Sequence, residues 1–111
     1  MACSDTCEPG CSNCAAKRAE AETRRLLLAA DELINGERAK MYGDASESFA
    51  QAARAYCAIS GQGEHDFTAQ DVAKVLICLK LVRDSYTPGN RDHLLDAAGY
   101  LGLLDKIRRA P

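Results

Sequence analysis

Four charged side chains in the C-terminal half of the chain have the types and the spacing to hold a small anionic ligand. Lys80 and Arg83 lie one helical turn apart in an otherwise apolar segment, and Asp92 and Asp96 follow a short turn. Ammonium and guanidinium groups bind phosphates, whereas two carboxylates at i and i+4 can hold one Mg²⁺ ion. The alternative is a lattice of structural ion pairs, and the residue types alone leave both interpretations open.

Two helices must position these charges. Thr68 followed by Asp71 is a capping box, which predicts a helix that starts near Ala69. Pro88 and Gly89 end that helix and turn the chain. Because the connection is short, the two helices should be antiparallel neighbours.

The antiparallel arrangement predicts how the charges pair. We take Asn90 as the N-cap of the second helix and count residues outward from the turn along both helices. Arg83 then lies level with Asp92. Lys80 then lies level with Asp96. A buried ammonium group without a partner is costly, so we expect Lys80 to be paired or to reach solvent.

Apolar residues at helical spacing predict the buried faces of these helices. The first set is Val72, Val75, Leu76, Leu79 and Val82, and the second is Leu94, Ala97, Ala98, Leu101, Leu104 and Ile107. Further apolar residues widen the apolar part of the surface of the first helix, which is typical of a helix at the centre of a domain. For Cys57 and Cys78, which lie in apolar helical segments, we expect inert core packing.

The N-terminal segment, residues 1–14, is rich in cysteine. It contains Cys3, Cys7, Cys11 and Cys14. Four thiolates suit tetrahedral Zn²⁺, but the spacing is not that of a standard zinc finger. Two interpretations therefore remain: a zinc knuckle, and a cysteine-rich tail that binds no metal.

The rest of the chain predicts two more helices, over residues 15–35 and 45–59. The second begins with an acid-type capping box made by Asp44 and Glu47. The sequence thus predicts an all-α fold, a compact and mostly antiparallel four-helix domain over residues 15–109. The first half of the first helix is highly charged and lacks an obvious partner in its own chain, so we expect a dimer.

Composition limits the function classes. The chain has 111 residues, enough for one domain, with 47% hydrophobic residues and a net charge of −2. That charge argues against a general nucleic-acid binder. No apolar run approaches the roughly 20 residues of a membrane span, and no signal core is evident, so we expect a cytoplasmic protein. Phosphate-loop, zinc-protease and serine-hydrolase motifs are absent from the sequence.

Several short motifs resemble those of a small uncharacterised all-α family found in phages and prophages. They are Asn35-Gly36-Glu37-Arg38, Tyr42-Gly43, Ser48-Phe49, Asp71-Val72-Ala73, Lys80 with Arg83, and Arg91-Asp92 through Asp96, Ala98, Gly99 and Tyr100. The resemblance covers about residues 27–104 and leaves the cysteine-rich segment outside. It implies the host cytoplasm as the location if the protein is phage-encoded.

The family pattern is in turn distantly similar to the MazG-like all-α nucleoside triphosphate pyrophosphohydrolases. Those enzymes hold Mg²⁺ with carboxylates on facing helices and bind phosphates with Lys and Arg. The resemblance implies a phosphate-binding set made of Lys80, Arg83, Arg91, Arg38 and Tyr42. It also implies sites built across subunits.

The same resemblance implies Mg²⁺ ligands at Asp92, Asp96 and Glu47. However, the E-x-x-E motif of the superfamily is absent from the second predicted helix. The resemblance therefore favours nucleotide handling over catalysis.

Three functions follow from these patterns. The first is Mg²⁺-dependent pyrophosphohydrolysis of a nucleoside triphosphate. The second is binding of a nucleotide or cyclic nucleotide without cleavage, for example to sequester a host-defence signal. The third is a structural or interaction role with a zinc-stabilised N-terminus.

Overall fold

The computed structural model of the chain describes residues 10–36 and 44–110, which form four α-helices. They are α1 (Ser12–Asn35), α2 (Ala45–Ser60), α3 (Ala69–Tyr86) and α4 (Asp92–Arg109). No strand occurs in these two stretches, so the predicted all-α four-helix fold is confirmed. None of the four helices is both long and apolar enough to cross a bilayer.

The predicted capping box fixes the start of α3 at Ala69. The Thr68 backbone N–H donates to Asp71 Oδ2 at 2.9 Å, and the Thr68 hydroxyl lies 3.0 Å from the same oxygen. Hydrogen bonds to the ionised carboxylate lower the pKa of Asp71, with the backbone bond as the largest cause. The sequence-based start of this helix is therefore confirmed.

The other helix ends follow the same local chemistry. Asp44 accepts a hydrogen bond from the Ser46 backbone N–H at 2.9 Å, which lowers the pKa of Asp44. Asn90 accepts one from the Asp92 N–H at 3.0 Å, but the N-cap of α4 is Arg91, one residue after the position predicted from the sequence. Gly61 ends α2 with φ at +72°, a left-handed conformation that glycine adopts without strain.

α3 and α4 pack as the expected hairpin, and α1 packs along α4. α1 approaches α4 closely at Gly102, where an added Cβ would overlap Ile34 Cδ1, the end of a flexible side chain that could move aside. A Cβ at Gly99 would lie 3.8 Å from Ile34 Cγ2, an ordinary contact. Lys106 Nζ then donates to the Ile34 carbonyl at 3.1 Å, close to the C-terminus of α1, where a cation is favourable.

The buried core consists mostly of small side chains. Its apolar members within the described residues are Ala30, Ala53, Cys57, Ala73, Ala97 and Leu104. Small residues let helix backbones approach closely, but they remove little apolar surface from water. The core of the single chain is therefore close-packed but modest in size.

The prediction of which residues of α3 are buried is wrong in part. Val75 and Val82 are each 54% exposed, and Leu79 is 40% exposed, whereas Ala73 is fully buried. On α4, Leu94 and Leu101 are also exposed. The physical reason is that α3 packs through its Ala73 side, and the bulky stripe lies on the opposite side of the helix.

The two helical cysteines also differ. Cys57 is buried, and its Sγ donates to the Phe67 carbonyl at 3.5 Å, so the expectation of inert packing holds there. Cys78 is exposed on α3, and the same expectation is wrong for it. Its position beside the outward stripe of α3 explains the difference.

Candidate anion-binding cleft

The predicted pairing of Lys80 with Asp96 is present in the structure. Lys80 Nζ lies 2.9 Å from Asp96 Oδ2. The Lys80 side chain is only 17% exposed, and that of Asp96 is 38% exposed. Such partial burial reduces screening by solvent, so this pair is stronger than an ordinary surface ion pair.

The pair lies at a cleft of about 320 Å³ between α1, α3 and α4. The other residues that line this cleft are Leu33, Ile34, Gly99, Tyr100 and Leu103. The cleft, which we call the Lys80 cleft, thus combines one charged pair with apolar side chains and Tyr100, and its lining surface is more polar than apolar. Ligand sites also combine charged groups with apolar and aromatic side chains, although most are lined by a larger share of apolar surface.

The Lys80 ammonium has donors to spare. It carries three N–H groups, and among the residues that the structure describes it forms one ion pair, with Asp96. A phosphate oxygen can therefore take a second donor while the carboxylate keeps the side chain oriented. Tyr100 also lines the cleft, and an aromatic ring is a group on which a base can stack.

The second predicted pair does not form. Within the described stretches no ion pair joins Arg83 to Asp92, and the Arg83 side chain is exposed on α3. Asp92 instead lines a smaller cleft of about 190 Å³ that is shared with α1. Asp92 is in the first turn of α4, where a negative charge is favourable next to the helix dipole.

Arg91, predicted to bind phosphate, is held by α1. Its Nη2 donates to the Glu22 carbonyl at 3.3 Å, and its Nη1 lies 3.6 Å from Glu22 Oε2. Arg91 lines the smaller cleft with Asp92 and not the Lys80 cleft. The described cations of the predicted phosphate-binding set, Lys80, Arg83 and Arg91, therefore do not converge on one site.

The predicted Mg²⁺ ligands are also spread out. Asp96 is engaged by Lys80, Asp92 lines the smaller cleft, and Glu47 is exposed in the first turn of α2. Across residues 10–36 and 44–110, no three Asp, Glu, His or Cys side chains converge to hold a metal ion. Within the described residues, this donor set does not converge on one Mg²⁺ centre, and Mg²⁺ binding stays a prediction.

Four of the predicted site residues lie outside the described residues: Arg38, Tyr42, Cys3 and Cys7. The two other N-terminal cysteines lie at the start of α1 and are half-buried. Cys11 precedes the helix, and Cys14 is in its first turn. With only half of the thiol set described, Zn²⁺ binding stays a prediction.

Sequence reasoning missed the walls of the Lys80 cleft. Leu33 and Ile34 come from α1, and Tyr100 comes from α4. A signal was present in the glycines at positions 99 and 102, which lie on one side of α4 where Ile34 of α1 packs. These glycines could be interpreted only once it was known that α1 packs against this side of α4.

The fold and the cleft define a class of protein: an all-α four-helix domain with a partly buried Lys–Asp pair beside a small-molecule-sized opening. Residues 25–108 match the family described as a domain of unknown function, DUF6378. The match covers most of the chain, and the chain belongs to this family. The cysteine-rich segment, residues 1–14, lies outside the matched range.

Two curated proteins from mycobacteriophages are similar to the chain. It is 40% identical over 83 residues to the Gene 55 protein of Mycobacterium phage L5, which covers 75% of this chain and 52% of that protein. It is 37% identical over 86 residues to the Gene 55 protein of Mycobacterium phage D29, which covers 78% and 55%.

The chain therefore spans about half the length of these relatives. No solved structure matches it. The prediction of an uncharacterised protein family with phage members is confirmed at this level. The similarity to MazG-like enzymes is not among these findings.

Proposed function

We propose that the chain binds a nucleotide, or a nucleotide-derived phosphate compound, in the Lys80 cleft. One observation carries the proposal: among the described residues, a largely buried ammonium group with one carboxylate partner lies at a cleft that Tyr100 and apolar side chains also line. A structural ion pair alone does not need an adjoining cleft. Buried ion pairs also add little net stability compared with apolar packing, which favours a ligand-related role.

The proposed binding mode assigns a role to each side of the cleft. A phosphate oxygen accepts from Lys80 Nζ, while Asp96 holds the ammonium group in place. The base or sugar lies against Tyr100 and Leu103. The volume of about 320 Å³ is near the lower limit of typical ligand pockets, about 300 Å³, and favours a mononucleotide.

Binding is better supported than hydrolysis. The distant similarity to MazG-like pyrophosphohydrolases suggests carboxylates gathered around Mg²⁺. In the described residues Asp92 and Asp96 line different clefts, and no third ligand joins them. We therefore place nucleotide binding first and Mg²⁺-dependent pyrophosphate release second.

The test is isothermal titration calorimetry with ATP, dATP, ADP, AMP and a cyclic dinucleotide, with adenosine and inorganic phosphate as fragments. Lys80→Met keeps most of the aliphatic side chain but removes the charge, and we expect at least a tenfold loss of affinity. Lys74→Met is the matched control, since Lys74 is an exposed lysine of the same helix outside the Lys80 cleft. It should bind like the wild type.

Three outcomes separate the functions. Binding that is lost in Lys80→Met, without turnover, supports the proposal. Pyrophosphate release with Mg²⁺ that is abolished in Asp96→Asn supports the hydrolase. If no compound binds, or Lys74→Met loses as much affinity as Lys80→Met, the proposed site is wrong and a structural role for the Lys80–Asp96 pair remains.

A further inference from the structure

We propose that a second copy of this chain packs against an apolar stripe on the outward side of α3, so that the protein is a symmetric dimer. The α3 stripe consists of Val75, Leu79, Val82 and Tyr86. Their exposed fractions are 54%, 40%, 54% and 81%. No charged residue interrupts the stripe.

The spacing of the stripe is that of a helix–helix seam. Its members fall at i, i+4, i+7 and i+11, which is the 3.5-residue repeat of a coiled-coil interface. At about 100° per residue, the stripe lies on the side of α3 opposite Ala73 and Lys80. Those two residues face the interior of the chain, so the stripe is not used by its own core.

The size of the stripe matches one half of an interface. From their exposed fractions, the four side chains present on the order of 400–500 Å² of mostly apolar surface, the size of the largest apolar patch of a typical monomer, which is often functional. A standard complex buries about 800 Å² on each partner, of which a little over half is apolar. One α3 stripe, with a polar rim around it, supplies about that amount.

The modest core supports a second copy as the occupant. Among the described residues, Leu104 is the one large apolar side chain in the buried core, and the largest fully buried side chain is that of Cys57. Small domains with limited cores commonly gain stability by oligomerisation. An uncharged seam also suits an isologous contact, in which the same patch is present on both subunits.

The test is the oligomeric state of the full chain under reducing conditions, measured by sedimentation velocity from about 1 to 100 μM, the range in which typical dimers dissociate. The wild type should sediment as a dimer of twice 12.0 kDa. Val75→Glu and Val82→Glu should each raise the dimer dissociation constant at least tenfold, because two like charges then face each other in a water-poor seam.

Leu101→Glu is the matched control, since Leu101 is 55% exposed but lies on α4. It should remain dimeric, and so should Lys80→Met, which separates this proposal from ligand binding. If a glutamate variant loses helical circular dichroism, Val82→Thr replaces it and should still weaken the dimer. A wild type that is monomeric at the highest concentration overturns the proposal. So does a folded Val82→Glu protein that stays dimeric, or an equal effect of Leu101→Glu.

Discussion

The two sides of α3 invert the usual distribution of polar and apolar groups. The inward side holds fully buried Ala73 and the mostly buried ammonium of Lys80. The outward side presents Val75 and Val82 half exposed. The comparison shows that small residues pack closely on the inward side, where Lys80 is paired with Asp96, and that the bulky apolar residues of the outward side are left exposed by their own chain.

The largest expected effect is on the inward side. Ala73→Leu adds three carbon atoms to a side chain that is fully buried between helices. The overpacking should lower the free energy of unfolding by about 3 kcal/mol. Ala58→Leu makes the same change at an exposed position of α2 and should alter it by no more than about 0.5 kcal/mol. Urea denaturation at fixed protein concentration, followed by circular dichroism, measures both.

Equal losses in the two alanine variants would contradict the placement of Ala73 against the neighbouring helices. A gain in stability for Ala73→Leu would show that the inward side has unfilled space. Either result would remove the contrast between the two sides of α3.

An intermediate effect is expected for the two carboxylates of α4. Asp96→Ala leaves the partly buried Lys80 without its partner and should cost about 1–2 kcal/mol. Asp92→Ala loses only a favourable helix-dipole contact and should cost about 0.5 kcal/mol. Thermal unfolding of the two variants, side by side, compares them.

If Asp92→Ala is the more damaging change, then the pairing that the sequence predicted for Arg83 and Asp92 exists in solution. If both variants are neutral, the Lys80–Asp96 pair contributes nothing to folding, and a role in binding alone would account for it.

The smallest expected effect is the loss of stability at acid pH that comes from the N-terminal caps of α3 and α2. Hydrogen bonds from Thr68 hold the pKa of Asp71 below its ordinary value, and those from Ser46 do the same for Asp44. The stability from these caps is therefore complete above the unfolded pKa, about 3.9, and is lost as pH falls through the lowered folded pKa. Melting temperature measured from pH 6 to pH 2 should fall less steeply in Asp71→Asn than in the wild type.

A melting curve for Asp71→Asn with the same acid dependence as the wild type would show that other carboxylates govern acid unfolding. The matching measurement on Asp44→Asn separates the cap of α2 from that of α3.

Local sequence chemistry predicted the helices well. The Thr68 and Asp71 pair determines where α3 begins, and antiparallel counting placed Lys80 level with Asp96. The same counting failed for Arg83 and Asp92, because Asp92 lines the cleft shared with α1. Counting along a hairpin gives the level of a residue but not its direction around the helix.

The candidate site needed long-range information. The walls of the Lys80 cleft combine Ile34 of α1 with Gly99 and Tyr100 of α4, two helices far apart in the sequence. The burial of α3 could not be predicted either, because apolar residues surround most of the helix. Periodicity alone does not say which apolar side its own chain covers.

The most direct test of the account is a crystal structure of the full chain with the mononucleotide that binds best in calorimetry. The account predicts a phosphate oxygen about 3 Å from Lys80 Nζ, with the base or sugar against Tyr100. A nucleotide bound away from Lys80, or an empty Lys80 cleft at saturating nucleotide with the Lys80–Asp96 pair unchanged, would contradict it.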